Sequence, residues 1–172
     1  MASQTSCDNY PFWIPLLSVL LLLAIYIIGA YLLSGFGLIA VLLYVLFCLW
    51  SEYRVLNKSC RNCYYYGRLC GLGRAKIVPL FFKKGDPNKF TKRDITWKDL
   101  IPDFLIFFIP LLGGTIYLFI RFNFLTLALI IAIAVLAMPG TGYMRSCLLC
   151  PNCKQRELGC PAQKLFGKEV QK

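Results

Sequence analysis

The sequence predicts an all-α membrane protein with four transmembrane helices, arranged as two hairpins that form a pseudo-repeat, and with a cytoplasmic cysteine-rich loop and tail. Of its 172 residues, 58% are hydrophobic and only 16% are charged, whereas soluble domains usually carry about 25% charged residues. No charged residue occurs between Asp8 and Glu52, between Asp103 and Arg121, or between Arg121 and Arg145. Uncharged apolar stretches of this length are typical of membrane spans and exclude both an ordinary soluble domain and a disordered chain.

The first uncharged stretch is long enough for two helices, because about twenty residues cross the hydrocarbon core of a bilayer. The break is expected at the sequence Ser-Gly-Phe-Gly of residues 34–37, since glycine permits a tight turn. We therefore place the first span near 12–33 and the second near 37–52. No Lys or Arg precedes the first span, so a retained helix is expected there and not a cleaved signal peptide.

The third span is expected near 102–120 and the fourth near 122–138, with a turn at 121–123 between them. Pro110, followed by Gly113-Gly114, predicts a kink in the third span. Pro139-Gly140 and Gly142 are expected to loosen or end the fourth span, because proline removes a helical hydrogen bond.

The distribution of basic residues predicts the orientation in the membrane. Of the nineteen Lys and Arg residues, twelve fall in residues 54–98, six in residues 140–172, and only Arg121 on the opposite side. The positive-inside rule therefore places both termini and the central loop in the cytoplasm, with the protein integral to the cell membrane. The resulting segments are a first hairpin (1–53), a cytoplasmic basic cysteine-rich loop (54–98), a second hairpin (99–139) and a cytoplasmic cysteine-rich tail (140–172).

The lipid bilayer itself is the first expected partner. Basic residues near a membrane gain about 1 kcal/mol each from anionic headgroups, so the net charge of +11 is attributed to lipid and not to nucleic acid. The candidate headgroup and interface residues are Lys83, Lys84, Lys92, Arg93 and Trp97. A solvated basic loop is the simpler alternative, and a protein partner at the cytoplasmic face is also open.

Seven of the nine cysteines form two clusters that share the spacing C-x2-C-x6-C. The candidate metal ligands are Cys60, Cys63 and Cys70 in the loop, and Cys147, Cys150, Cys153 and Cys160 in the tail. A C-x2-C turn can point two thiolates at one tetrahedral ion. Of the other two, Cys48 is expected to be a buried apolar residue of the second span, and Cys7 has no partner at a useful spacing.

Two metal groups fit these clusters, and the sequence does not separate them. Paired C-x2-C motifs, Cys60/Cys63 with either Cys150/Cys153 or Cys147/Cys150, are typical of structural zinc, which would make the protein a scaffold or accessory subunit. The run C-x2-C-x2-C followed by Cys-Pro resembles the ferredoxin motif for a [4Fe–4S] cluster, which would make it an electron relay. The tail departs from that motif, because six residues and not three precede the last cysteine.

An enzymatic role has support only through the cysteines. The sequence contains no His, which excludes His-ligated haem, His-containing zinc sites and His acid–base catalysis. It also contains no Ser–His–Asp set and no phosphate-binding glycine motif. The alternative function is a membrane thiol–disulfide oxidoreductase that uses the C-x2-C pairs. A cytoplasmic location disfavours it, because that compartment is reducing.

The stretch 60–86 contains the sequence Asn-Cys-Tyr-Tyr-Tyr-Gly at 62–67 and Pro-Leu-Phe-Phe-Lys-Lys-Gly-Asp at 79–86. In these residues the chain resembles uncharacterised small cysteine-rich polytopic membrane proteins of prokaryotes, those of archaea included. The resemblance covers the central loop and the tail. It implies a shared architecture and no particular activity.

Overall fold

The computed structural model describes residues 7–92 and 96–161, without the side chain of Trp97. In this part of the chain the structure is helical and has no β-strand. The helices are α1 (Trp13–Ser34), α2 (Leu38–Lys58), α3 (Val78–Phe81), α4 (Pro87–Thr91), α5 (Trp97–Ile120), α6 (Phe124–Val135), α7 (Thr141–Tyr143) and α8 (Lys154–Glu157). The 3-10 turns are Cys60–Asn62 and Arg74–Lys76, and π-helical turns occupy Leu136–Gly140 and Met144–Leu149.

The chain forms two compact units. The cysteine unit consists of Met1–Val19, Arg54–Trp97 and Met144–Lys172, and the helix unit consists of Leu20–Tyr53 and Lys98–Tyr143. The cysteine unit thus combines the central loop and the tail with the N-terminal segment, which the sequence had assigned to the first hairpin.

Four helical stretches of the described chain are long and apolar enough to cross a membrane, as predicted. In each of them only 17–22% of the most apolar window is buried inside the protein. Their outward-facing residues are therefore mostly large and apolar, a surface that water would solvate poorly and lipid would solvate well.

The predicted turns between these helices are confirmed. α1 ends at Ser34 and α2 begins at Leu38, and Gly37 adopts a φ of 103°, a left-handed conformation that favours glycine. α5 ends at Ile120, and Asn123 caps α6 by accepting a hydrogen bond from the backbone N–H of Leu125 at 3.0 Å.

The fourth helical stretch continues beyond the predicted end at residue 138 and reaches Leu149. Pro139 has no backbone N–H, and the N–H of Thr141 instead donates to the carbonyl of Leu136, five residues back. The helix does not end at Pro139-Gly140. It changes there to π-helical turns, whose hydrogen bonds reach five residues back, and so continues past the missing N–H of the proline.

The core of the helix unit contains residues from all four long helical stretches. Its buried members are Ile25, Leu32, Leu33, Tyr44, Cys48, Ile106, Ile133 and Ala137. The expectation that Cys48 is a buried apolar residue is confirmed, since its side chain is only 4% exposed.

A buried hydroxyl compensates for Pro110 within α5. Because proline lacks an N–H, the carbonyl of Ile106, four residues earlier, loses its usual helical partner. The Tyr44 hydroxyl donates to that carbonyl at 2.9 Å. Gly29 leaves room for this hydroxyl, because a Cβ at position 29 would overlap the Tyr44 hydroxyl group.

Candidate functional site

The cysteine unit is built around Tyr65, whose side chain is only 2% exposed. Tyr65 lies in a small apolar core whose other buried members are Tyr10, Ile14, Ala75 and Leu149. The thiols that pack against this core are Cys63, Cys70 and Cys153. The central loop and the tail therefore each place cysteines against the same core, and these cysteines are called the cysteine cluster below.

Hydrogen bonds from two tyrosines hold the three chain segments of this unit together. The Tyr65 hydroxyl donates to the Cys7 carbonyl at 2.6 Å and accepts from the Lys154 N–H at 3.0 Å. The Tyr10 hydroxyl donates to the Leu149 carbonyl at 2.7 Å. These bonds fix the N-terminal segment, the central loop and the tail around the same buried ring.

Gln155 joins the two cysteine motifs directly. Its side chain is 4% exposed, and its Oε1 atom accepts from the backbone N–H of Tyr64 at 2.8 Å and lies 3.6 Å from Cys63 Sγ. Its amide nitrogen donates to the Gly159 carbonyl at 3.4 Å. Gln155 thereby sets the position of Cys63 relative to the chain that follows Cys153.

Backbone N–H groups lie against three of the sulfur atoms. The N–H of Ala75 donates to Cys70 Sγ at 3.4 Å. The N–H of Tyr65 is hydrogen-bonded to the Cys63 thiol, and the N–H groups of Gln155 and Arg156 are hydrogen-bonded to the Cys153 thiol. Donors in these positions stabilise a thiolate, and hydrogen bonds to ligand sulfurs are a common second shell of metal–thiolate sites.

Burial nevertheless favours the protonated thiol at Cys63, Cys150 and Cys153, because it raises the pKa of each. Burial, with the nearby thiols of Cys153, Cys70 and Cys160 adding to it, raises the pKa of Cys63 to about 11 despite the Tyr65 N–H. Burial, with Cys160 as the next contributor, also raises the pKa of Cys150 and, despite the N–H groups on its sulfur, that of Cys153. A bound cation would reverse this balance, because it offsets the repulsion among the thiolates.

The predicted ligands are therefore distributed unevenly. Cys63 interacts electrostatically with Cys70, Cys153 and Cys160, and Cys153 interacts with Cys150 and Cys160. Cys60 begins the 3-10 turn that precedes Cys63. Cys147 is exposed, and its sulfur lies 3.6 Å from the Ser146 hydroxyl.

All nine cysteines lie among the described residues, and none of them forms a disulfide. In residues 7–92 and 96–161, no three Cys, Asp or Glu side chains are close enough together to hold a metal ion. The thiols of the cluster would therefore have to move toward one another to coordinate a shared ion.

The sequence did not reveal the contribution of the N-terminal segment. Cys7 pairs with Cys153 in a parallel β-bridge, with its N–H donating to the Asn152 carbonyl at 3.0 Å. Asp8 forms a 2.6 Å ion pair with Lys154 and accepts from the Tyr64 hydroxyl at 2.8 Å. These contacts connect residues far apart in the chain, so spacing gives no signal for them.

The candidate lipid-contact residues lie in the same unit. Lys83, Lys84 and Lys92 are exposed, which a headgroup contact requires. Arg93 and the side chain of Trp97 lie outside the described residues.

Comparison of this chain with known protein families, with curated proteins and with solved structures finds no match. The resemblance noted from residues 60–86 therefore stays a prediction.

Proposed function

We propose that this chain is an integral membrane protein whose cysteine unit binds a metal through thiolates from both the central loop and the tail. The observation that carries the proposal is the apolar core around Tyr65, against which Cys63 and Cys70 of the loop and Cys153 of the tail all pack. The backbone N–H groups on these three sulfurs support it further. Cys150 and Cys160 complete the favoured ligand set, with Cys60 and Cys147 as additional candidates.

Two metal groups would give the unit different roles. A four-thiolate zinc ion would stabilise the loop and the tail, making a docking platform for a protein partner at the cytoplasmic face. A [4Fe–4S] cluster would relay electrons between a soluble donor and a component of the membrane. The colour and metal content of anaerobically purified protein distinguish the two. A [4Fe–4S] cluster gives a brown sample that contains iron and sulfide, whereas zinc gives a colourless sample.

Serine variants test whether the site is shared. We expect Cys63→Ser and Cys153→Ser each to lower the metal content of the purified protein, because each removes a ligand from a different segment. Cys48→Ser is the control, since Cys48 is a buried cysteine of the helix unit and lies outside the proposed site. Full metal content in both cluster variants would overturn the proposal.

We propose further that the four helices form two hairpins with both termini, the central loop and the tail in the cytoplasm. The eighteen basic residues of the loop and tail, against Arg121 alone on the other side, support this orientation. The test uses variants in which the introduced cysteine, Asn123→Cys or Lys83→Cys, is the one cysteine of the chain. A membrane-impermeant maleimide should label Asn123→Cys in intact cells and should label Lys83→Cys only after the cells are lysed. Labelling at position 83 from outside would contradict it.

The thiol–disulfide oxidoreductase alternative has weaker support. Its attacking group would be a thiolate, whose formation requires a lowered pKa, yet burial raises the pKa values of Cys63, Cys150 and Cys153. If the reduced, metal-free protein reduces a disulfide substrate as fast as a known oxidoreductase does, with one of its C-x2-C pairs oxidised to a disulfide in exchange, that alternative replaces the metal proposal.

A further inference from the structure

A cavity of about 310 Å³ opens beside the cysteine cluster, within the cysteine unit. Three pieces of chain form its wall: the residues that follow Cys63, the start of the basic segment that contains α4, and α8 with the residue after it. The lining includes Cys63, Tyr64, Arg68, Lys84, Asn88 and Gln155.

The lining is positively charged. Arg68 and Lys84 both line the cavity, and none of its ten lining residues is acidic. Asp8, which lies near Arg68, is not part of the lining and is held by Lys154 at 2.6 Å. Two cations without a lining carboxylate favour an anionic occupant.

The groups on this wall are held in place by local structure. The Arg68 guanidinium donates to the Tyr64 hydroxyl at 2.7 Å and lies 4.9 Å from the centre of the Tyr64 ring. The N–H of Gly85, next to Lys84, donates to the Arg61 carbonyl at 2.9 Å. Asp86 caps α4 by accepting from the N–H of Asn88 at 2.9 Å. These contacts fold the basic segment back over the first cysteine motif.

We propose that this cavity binds a phosphate group, either as free phosphate or as the headgroup of an anionic lipid. Arg68 offers a planar fork of N–H donors and Lys84 a point charge, a combination that suits an anion with three or more oxygens. The side-chain amide of Asn88 adds a neutral donor along the same wall. Neither cation is a candidate metal ligand, although Cys63 also lines the cavity.

The chain offers a matched control for this site. Lys83 and Lys84 are adjacent, exposed and identically charged, but only Lys84 lines the cavity. If phosphate is attracted by a diffuse basic surface, Lys83→Ala and Lys84→Ala should weaken phosphate binding equally. If phosphate binds in the cavity, Lys84→Ala and Arg68→Gln should weaken binding much more than Lys83→Ala does.

The experiment uses the full chain in nanodiscs of zwitterionic lipid, titrated calorimetrically with inorganic phosphate at constant ionic strength. We expect saturable binding, weakened about tenfold by Arg68→Gln and by Lys84→Ala and less than about twofold by Lys83→Ala, because a charge-assisted hydrogen bond is lost only in the first two. Nanodiscs with an anionic phospholipid distinguish the two sources, since a headgroup in the site weakens phosphate binding competitively.

Two results would overturn the proposal. One is the absence of saturable phosphate binding in zwitterionic nanodiscs. The other is an equal loss of binding in Lys83→Ala and Lys84→Ala, which would assign the attraction to net charge alone. Circular dichroism of each variant shows whether its helices are intact, so that a loss of binding is not taken from an unfolded sample.

Discussion

At the residue scale, Tyr65 organises the cysteine unit through a single hydroxyl group. That group donates to the Cys7 carbonyl and accepts from the Lys154 N–H, so it serves the N-terminal segment and the tail at once. Its ring also packs at 5.7 Å from that of Tyr10. Removing this hydroxyl would leave two backbone groups without a hydrogen bond, which lowers the stability of the folded protein.

Replacing Tyr65 by Phe tests this role. We expect the free energy of unfolding to fall by about 1–3 kcal/mol, because the Lys154 N–H and the Cys7 carbonyl lose a partner in a partly buried position. Chemical denaturation in detergent micelles measures the change. Tyr66→Phe is the control, since its hydroxyl makes one bond to the nearby Phe82 carbonyl; equal effects of the two substitutions would contradict the role of Tyr65.

Asp8 makes the stability of the cysteine unit depend on pH. The hydrogen bond from Lys154, followed by that from the Tyr64 hydroxyl, lowers the pKa of Asp8 below its usual value of 3.8. The carboxylate is favoured in the folded protein, so its stabilisation is present above pH 3.8 and is lost as the pH falls through the lowered pKa.

The pH prediction is checked with Asp8→Asn. The difference in melting temperature between the wild type and this variant should be largest near neutral pH and should shrink below about pH 4 as the carboxylate is protonated. The effect will be small, because an exposed ion pair is screened by solvent. A difference that stays constant from pH 7 to pH 3 would show that the Asp8 charge contributes nothing.

At the element scale, a hydroxyl from another helix replaces the hydrogen bond that Pro110 removes from α5. The Ile106 carbonyl, freed by Pro110, lies in a span with few other donors, and an unsatisfied carbonyl in hydrocarbon is costly. The Tyr44 hydroxyl supplies the missing donor from α2. The sequence indicated Pro110 as a site of irregularity, but the donor on another helix could not be read from spacing.

A double-mutant cycle tests this replacement. Tyr44→Phe should destabilise the protein by about 1–2 kcal/mol, because the Ile106 carbonyl loses its donor. In a Pro110→Ala background the alanine N–H can serve that carbonyl, so the same Tyr44→Phe change should cost much less. Thermal unfolding in detergent measures both. An unchanged cost in the Pro110→Ala background would contradict the proposed coupling.

The helix boundaries show where sequence patterns succeed and where they fail. The glycine-rich turn before Leu38 and the turn before Phe124 were predicted correctly, because glycine conformation and capping are local properties. α2 extends to Lys58, past the predicted end at residue 52. Charged residues end a hydrophobic span but are good helix formers, so the loss of hydropathy did not mark the end of the helix.

At the scale of the whole molecule, the loop and the tail come together in the cysteine unit, where Cys63 and Cys153 pack against the same apolar core. The repeated cysteine spacing could not reveal Cys7, Tyr65 or Gln155 as parts of the same unit. Their contacts are hydrogen bonds between residues 58 to 91 positions apart, and such contacts depend on the folded chain. For that reason the sequence alone gives Cys7 no partner.

The central claim is that sulfur atoms from two distant segments bind one metal, and X-ray absorption spectroscopy of the purified wild type and two variants tests it most directly. If the metal is zinc, we predict four sulfur neighbours at about 2.3 Å in the wild type. Cys63→Ser and Cys153→Ser should each reduce that number to three at the same metal. Two results would contradict the claim. One is a metal with no sulfur neighbours, and the other is a number of sulfur neighbours that falls in only one of the two variants.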